Sequence, residues 1–363
     1  MMKSSNFIIV TICLITFCVF GYLLKSELQD VVRDILTRDN ISKGVLPVDS
    51  VKWCTLPISH HLDEGGVPEG LMDITHPSIC YIPDGKFSHR WWMAATPYPQ
   101  SLKVGGEPYE NTCIFYADNT KEYTPLEFSS ISKNHIIYKS GARYNSDPDL
   151  FFDECDSTLF VFTRKRWGKD YKSNIVMQTS KNGENWSEPL SVVKTISQSL
   201  CPCIVKCGSF YRIYLYEYET EKQNPTSSIE IWESPSLLSP QFKHVKSIPW
   251  TLPSYIWHGD VIRYGKKYYM IYCGANKDYK TRIGTTDEAK YLWVAESEDG
   301  YTFKDYKRPL LKMNGVYRSS FTIIDDIIYC YFSVSNRYRT HKYPSGNRIG
   351  VITYPVDELH NLL

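Results

Sequence analysis

A strand pattern that recurs five times is the feature that most restricts what this chain can fold into. Each copy has a polar or proline-containing start, an apolar alternating strand, a turn and an aromatic strand. The starts are marked by His76, Asp147, Cys201, His258 and Arg318, at intervals of 71, 54, 57 and 60 residues. Repeats of this length fit the four-stranded blades of a β-propeller with long connections.

A second repeated element, Ser-x-(Asp/Asn)-Gly-x-x-aromatic, occurs at residues 180–186 and 297–303. Its Asp/Asn-Gly pair supplies the positive φ of a tight hairpin turn. Because these turns are in phase with the strand pairs, they favour radial repetition over a two-sheet sandwich, in which hairpins also recur. We therefore predict an all-β fold, a five-bladed β-propeller over residues 49–363, with residues 51–56 pairing with residues 348–354 to close the ring.

The first 24 residues differ from the rest of the chain. An unbroken apolar run extends from Phe7 to Leu24, and as a helix it spans roughly 27 Å, enough for a bilayer core. No small-x-small cleavage site follows, which favours an uncleaved transmembrane signal anchor over a cleaved signal peptide. The small difference in charge between the two flanks of the run predicts that the rest of the chain lies outside the cytoplasm, in the periplasm or at the cell surface.

Residues 25–48 are predicted to form a short amphipathic helix that serves as a stalk or linker. Its apolar stripe consists of Leu28, Val31, Val32, Ile35 and Leu36. This spacing places one apolar face along the helix, so the segment is expected to pack or to connect rather than to stand alone.

Charge and composition exclude one class of partner and favour another. The 41 Lys and Arg residues balance the 40 Asp and Glu residues, so no global field attracts nucleic acid. The 28 Tyr, 15 Phe and 9 Trp residues suit twisted sheets and also sugar binding, where flat rings stack on sugar faces. Cys201-x-Cys203 is closer together than the usual zinc spacings and reads as core packing, so no metal site is predicted.

Polar residues at the five strand starts form the candidate site, because the first strand of each propeller blade lines the central channel. Asp147 and Asp260 are predicted to be a catalytic carboxylate pair, one protonating the leaving oxygen and the other activating water. Further residues are predicted to bind substrate: His76, Asp149, His258, Arg318, Trp257 and Tyr255. Structural roles remain open alternatives, namely turn capping by Asp147, a structural His258–Asp260 pair and a channel-filling ion pair at Arg318.

With its Ser146-Asp-Pro-Asp-Leu-Phe-Phe-Asp153 motif and its Ser-x-(Asp/Asn)-Gly turns, the chain resembles the five-bladed propeller glycosidases of glycoside hydrolase families 43 and 32 over roughly residues 50–355. It is most similar to poorly characterised family-43-like proteins of bacterial surface polysaccharide loci. The resemblance implies a general base Asp in the first blade, a pKa-tuning Asp in the second and an acid Glu in the third. Only Asp147 matches, in the second blade. The first blade has His76, with Asp73 nearby, and the third has Cys201.

The resemblance also implies a central cation, such as calcium, near a His, but the sequence shows no ligand cluster, and no cofactor is expected. Two functions follow. The leading hypothesis is a glycoside hydrolase-like enzyme that acts on a polysaccharide or oligosaccharide at the central pocket. The alternative is a non-catalytic glycan-binding or polysaccharide-assembly protein with a degenerate propeller, favoured by the missing Glu. A scaffold for protein partners is a weaker third reading, and the oligomeric state is left open.

Overall fold

The computed structural model describes residues 44–57, 74–98, 110–118, 124–134, 136, 142–167, 173–195, 198–218, 226–250, 254–276, 291–313, 315–334 and 347–362. Residues Val45–Leu363 form one compact unit. The predicted anchor at residues 1–24 and most of the predicted helix at 25–48 lie outside the described residues. Within the described ranges, no helix is long and apolar enough to cross a membrane.

The described regular structure is almost entirely β-strand, arranged in five separate antiparallel sheets. Blade 1 contains β2 (Ile74–Tyr81), β3 (Trp91–Pro97), β4 (Cys113–Ala117) and β5 (Ser129–Ser130). Blade 2 contains β6 (Ala142–Asp153), β7 (Thr158–Trp167), β8 (Ser173–Ser180) and β9 (Leu190–Lys194). Blade 3 contains β10 (Gln198–Cys207), β11 (Phe210–Tyr218), β12 (Thr226–Ser234) and β13 (Lys243–Pro249).

The last two blades complete the circle. Blade 4 contains β14 (Ser254–Tyr264), β15 (Lys267–Asn276), β16 (Tyr291–Ser297) and β17 (Lys304–Asp305), and β18 (Leu311–Lys312) also pairs with β16. Blade 5 contains β19 (Val316–Ile324), β20 (Ile327–Val334), β21 (Arg348–Pro355) and the N-terminal β1 (Lys52–Trp53). Two short 3-10 helices, Val48–Ser50 and Asp357–Leu362, flank the sheets.

The blades form a closed ring. Their first strands contact one another in the cyclic order β2, β6, β10, β14, β19 and back to β2. The pairing of Lys52 with Val351 and of Trp53 with Gly350 joins the two ends of the described unit in one sheet. Both the five-bladed propeller and its closure by the N-terminal strand are therefore confirmed.

Each first strand is interrupted where it enters the centre of the ring. The register of all five strands shifts within the segments 75–78, 146–149, 200–203, 256–258 and 316–319. In the first three blades a proline follows the marker residue, and proline has no N–H to give to a strand ladder. The marker residues His76, Asp147 and Cys201 there adopt positive φ values of 54°, 54° and 46°. These bulges redirect the side chains of the markers.

Apolar contacts between neighbouring blades supply the core. One hydrophobic cluster joins blades 1 and 2 around Trp92 and Val161, and another joins blades 2 and 3 around Phe162 and Ile213. Two more clusters connect blade 4 to blade 5 and blade 5 to blade 1. Because both faces of a blade pack against neighbours, the strands carry long apolar runs, as the sequence pattern shows.

The turn at 180–186 fixes blade 2 against blade 1. Ser180 Oγ accepts a hydrogen bond from the Gly183 N–H at 2.8 Å, and Asn182 Oδ1 accepts two more from the following backbone. Gly183 has a φ of 78°, and a Cβ built on it would lie 1.8 Å from a ring carbon of Trp92. This position requires glycine for both its conformation and its closeness to the indole.

We expect Gly183→Ala to destabilise the fold more than Gly208→Ala. Both glycines have positive φ, but a Cβ on Gly208 would meet nothing within 4 Å. The strained backbone costs about 1–2 kcal/mol in either variant, and overlap with Trp92 adds a further cost of about 1–3 kcal/mol at Gly183 alone. Urea unfolding of both variants measures the difference. Equal losses in the two variants would contradict the contact with Trp92.

Candidate functional site

Five short side chains near the axis link each blade to the next. They lie two residues after the markers, and we call them the interblade ring: Ser78, Asp149, Cys203, Asp260 and Ser320. Each accepts a hydrogen bond from a backbone N–H of the following blade, those of Leu150, Ile204, Val261, Phe321 and Ile79, over 2.7–3.0 Å. The ring closes on itself, so every blade donates one bond and accepts one.

The carboxylates of the interblade ring are already engaged on both oxygens. Asp149 accepts hydrogen bonds from Ser78 Oγ and from the Ile204 N–H. Asp260 accepts hydrogen bonds from Cys203 Sγ and from the Phe321 N–H. Burial, and then the neighbouring Asp260, raise the pKa of Asp149 to about 8, and burial also raises the pKa of Asp260.

A second set of side chains, the axial cluster, consists of His76, Asp147, His258, Arg164 and Arg318. All five residues are at most 6% exposed. The Asp147 carboxylate lies at their centre, with His76 Nε2 at 3.3 Å, Arg164 Nε at 2.9 Å and Arg318 Nη1 at 3.8 Å. Arg318 also donates a hydrogen bond of 2.6 Å to the Pro148 carbonyl. The residues come from blades 1, 2, 4 and 5, so the fold brings together positions far apart in sequence.

Burial and the neighbouring charges set the ionisation of the axial cluster. Burial alone would raise the pKa of Asp147, but Arg164, then His76 and His258, and last Arg318 hold it well below its usual range. Burial lowers the pKa of His76 to about 3 and also lowers that of His258. At neutral pH, Asp147 is therefore a carboxylate and both imidazoles are uncharged.

The third blade contributes a thiol to the edge of this cluster. Cys201 Sγ lies 2.5 Å from Nδ1 of His258, so this contact orients the imidazole. Burial raises the pKa of Cys201 well above its usual value, which keeps the thiol protonated. Tyr317 packs against both imidazoles, with ring centroids 5.3 Å from His76 and 4.5 Å from His258.

The structure also forms a group of metal-ligand type that the sequence analysis did not predict. One side-chain ligand atom from each of His76, Asp147 and His258 lies within 4.8 Å of the other two. The sequence analysis placed all three residues at the axis but did not group them as metal ligands. These three residues come from three blades and meet only once the ring has closed.

The predicted site residues therefore divide into two groups. His76, Asp147, His258 and Arg318 belong to the axial cluster, whereas Asp149 and Asp260 belong to the interblade ring. Tyr255 and Trp257 are in β14, but their side chains lie outside the described part of the structure.

Sequence reasoning missed Arg164, which lies on the second strand of its blade. Its signal was the run of three cationic residues, Arg164-Lys165-Arg166, inside an otherwise apolar strand. All three residues are at most 8% exposed, and buried cations normally have a specific partner.

Comparison with known proteins identifies the architecture. No family model and no curated protein matches the chain by sequence. Among solved structures, an N-acetylgalactosamine deacetylase from F. plautii, in complex with blood group B trisaccharide, aligns with a TM-score of 0.64 at 15% identity, over 80% of this chain and 92% of that one.

Two glycosidases align in the same way. The β-xylosidase RS223 matches with a TM-score of 0.55 at 13% identity, over 78% of this chain and 92% of that one. A thermostable family-43 glycoside hydrolase matches with a TM-score of 0.55 at 14% identity, over 79% and 90%. The chain thus has the five-bladed β-propeller of the family-43 glycoside hydrolase type, and the resemblance inferred from its motifs is confirmed for the fold.

Replacing Asp149 by Asn tests whether this carboxyl is protonated in the folded protein. Its folded-state pKa of about 8 lies above its ordinary value of 3.8, so protonation stabilises the fold at low pH and this contribution is lost as the pH rises towards 8. Asn does not titrate. We therefore expect the stability of Asp149→Asn relative to wild type to increase between about pH 4 and about pH 8.

Urea unfolding across this pH range measures the change, with the exposed Asp357→Asn as the matched control. A difference between wild type and Asp149→Asn that does not vary with pH would show that the carboxyl is ionised in the folded protein.

Proposed function

We propose that this chain is a carbohydrate-active enzyme of the glycoside hydrolase type, and that it binds its glycan at the axial cluster. The observation that carries the proposal is the buried, ionised Asp147 at the axis, held between two guanidinium groups and two neutral imidazoles. The fold supports it, because three structures with this propeller are enzymes that act on sugars. Fold alone does not define an activity, so the proposal depends on the polar side chains around Asp147 at the axis.

The environment of Asp147 suggests how it would act. A carboxylate whose pKa is held far below its usual range is a weak base, because a general base works best with a pKa near the working pH. It does remain negatively charged at every physiological pH. In glycoside hydrolysis, such a charge stabilises the positive charge that develops on the sugar ring in the transition state.

The second member of the predicted pair, Asp260, has less support. Both of its oxygens accept hydrogen bonds within the interblade ring, which favours a structural role. Asp147 and Asp260 can be separated by experiment, because only a catalytic carboxylate should matter for turnover once the fold is intact.

We expect Asp147→Asn to lower kcat/KM by about 100-fold or more, because it removes a preorganised charge from the reaction centre. Asp260→Asn should retain most of the activity. The assay follows sugar release from aryl β-xylosides and a polysaccharide panel, together with acetate release from N-acetylgalactosaminides. Urea unfolding provides the control for folding. If folded Asp260→Asn is as inactive as Asp147→Asn, both carboxylates are catalytic, as the sequence analysis predicts. Full activity of Asp147→Asn would refute the proposal.

A second candidate function is glycan binding without catalysis. It is favoured by Cys201, which occupies the third-blade position where the resembled hydrolases carry their acid. A binding protein would retain glycans on an array and release no product after prolonged incubation. In that case, Asp147→Asn would weaken binding and there would be no turnover to lose.

We also propose that residues 1–24 anchor the protein in a membrane, with the propeller outside the cytoplasm. The support is the apolar run itself and the absence of a small-x-small site after it. Protease added to spheroplasts, which reaches both the cell surface and the former periplasm, should digest the propeller and leave the anchor in the membrane fraction. Full protection in spheroplasts, with digestion only after lysis, would contradict this orientation.

A further inference from the structure

We infer that His76, Asp147 and His258 bind one divalent transition-metal ion at the propeller axis. One ligand atom from each lies within 4.8 Å of the other two, and all three residues are buried. The inference deepens the proposed function and rests on it only for the use of the ion, since binding can be measured without any substrate.

Unsatisfied polar atoms point into this site. Neither ring nitrogen of His76 has a hydrogen-bond partner among the described residues, although the side chain is only 4% exposed. The two carboxylate oxygens of Asp147 also lack well-aligned hydrogen bonds, although cations lie close by. Buried polar atoms of this kind are normally satisfied by a partner. A coordinated cation would satisfy the imidazole of His76 and the carboxylate of Asp147 together.

The spacing of the ligand atoms fits a shared ion. His76 Nε2 and Asp147 Oδ1 are 3.3 Å apart. Two atoms that each lie about 2.1 Å from a tetrahedral ion are separated by roughly 3.4 Å. This pair therefore has the separation that coordination requires, and the ligand atom of His258 lies within 4.8 Å of both.

The ligand chemistry selects the class of metal. Two imidazole nitrogens and one carboxylate oxygen suit Zn²⁺, Mn²⁺ or Fe²⁺, whereas Ca²⁺ prefers a larger set of oxygen ligands. Three protein ligands leave coordination positions for water and for a sugar oxygen, as in catalytic zinc sites. Such an ion could activate water in a propeller that has no Glu in its third blade.

Neighbouring side chains orient two of the ligands. Arg164 holds Oδ2 of Asp147, which directs Oδ1 towards His76. Cys201 contacts Nδ1 of His258, and we therefore assign Nε2 of this ring to the ion. Partners of this kind fix ligand orientation in metal sites, and their loss typically lowers metal affinity 10–100-fold.

The test is metal binding by the purified full chain, stripped with chelator and then titrated with Zn²⁺, Mn²⁺ or Ca²⁺. We expect one equivalent of a transition ion by calorimetry and elemental analysis, a higher Tm in its presence and no binding of Ca²⁺. Co²⁺ should give a visible spectrum without a sulfur charge-transfer band. No stoichiometric binding would overturn the inference, and a sulfur band would overturn this ligand set by adding Cys201.

Variants locate the ion. His76→Ala and Asp147→Asn should lose more affinity than Cys201→Ala, which acts only through His258 and should lose roughly 10–100-fold. His244→Ala is the matched control. This exposed histidine lies on β13, the outermost strand of blade 3, and pairs there with Glu230. Binding that survives in His76→Ala and disappears in His244→Ala would place the ion at the surface and refute the axial site.

The outcomes remain distinct from those of the proposed function. Glycan turnover that depends on Asp147 but persists after complete removal of the metal would refute a catalytic ion and leave the enzyme proposal intact. Stoichiometric binding without any glycan turnover or binding would confirm the site and refute the proposed function.

Discussion

The interblade ring is the interaction on which the rest of this structure depends. A propeller brings the first strand of each sheet to its axis, and the free edge of that strand presents backbone N–H groups that have no strand partner. A buried N–H without a hydrogen-bond partner lowers the stability of the fold by about 1–3 kcal/mol. Ser78, Asp149, Cys203, Asp260 and Ser320 each accept one of these N–H groups from the next blade. The backbone therefore requires a short acceptor at this position in every blade, and the hydrogen bonds fix each blade against the next.

This requirement leaves the axial cluster free for chemistry. The five marker residues precede the residues of the interblade ring by two positions, and the hydrogen bonds of the ring hold their strands in place. The markers have no shared structural duty, and their types differ from blade to blade: His76, Asp147, Cys201, His258 and Arg318. A rigid frame with variable side chains at its centre is the arrangement that lets one fold support many activities.

The sequence was sufficient to predict the blades, because the polar or proline-containing strand starts recur at near-constant spacing and the glycine turns are in phase with them. It was not sufficient to assign roles within a blade. Asp147 and Asp149 are two residues apart and both face the axis, and only the bulge and the position of the Ile204 N–H separate the site residue from the ring residue. The same holds for His258 and Asp260. Arg164 was not predicted as a site residue, because it reaches the axis from the second strand of its blade and the sequence analysis considered only the starts of the first strands.

The electrostatics of the axial cluster constrain any ligand that binds there. Arg164 and Arg318 bring two positive charges to the single carboxylate of Asp147, and neutral imidazoles add none, so the cluster carries an excess positive charge before a ligand arrives. A divalent ion would increase that excess and would be held more tightly once an anion, such as hydroxide or an acidic sugar group, bound beside it. Because such coupling is reciprocal, the ion would strengthen the binding of that anion by the same factor. Cation and anionic ligand would then depend on each other at this site.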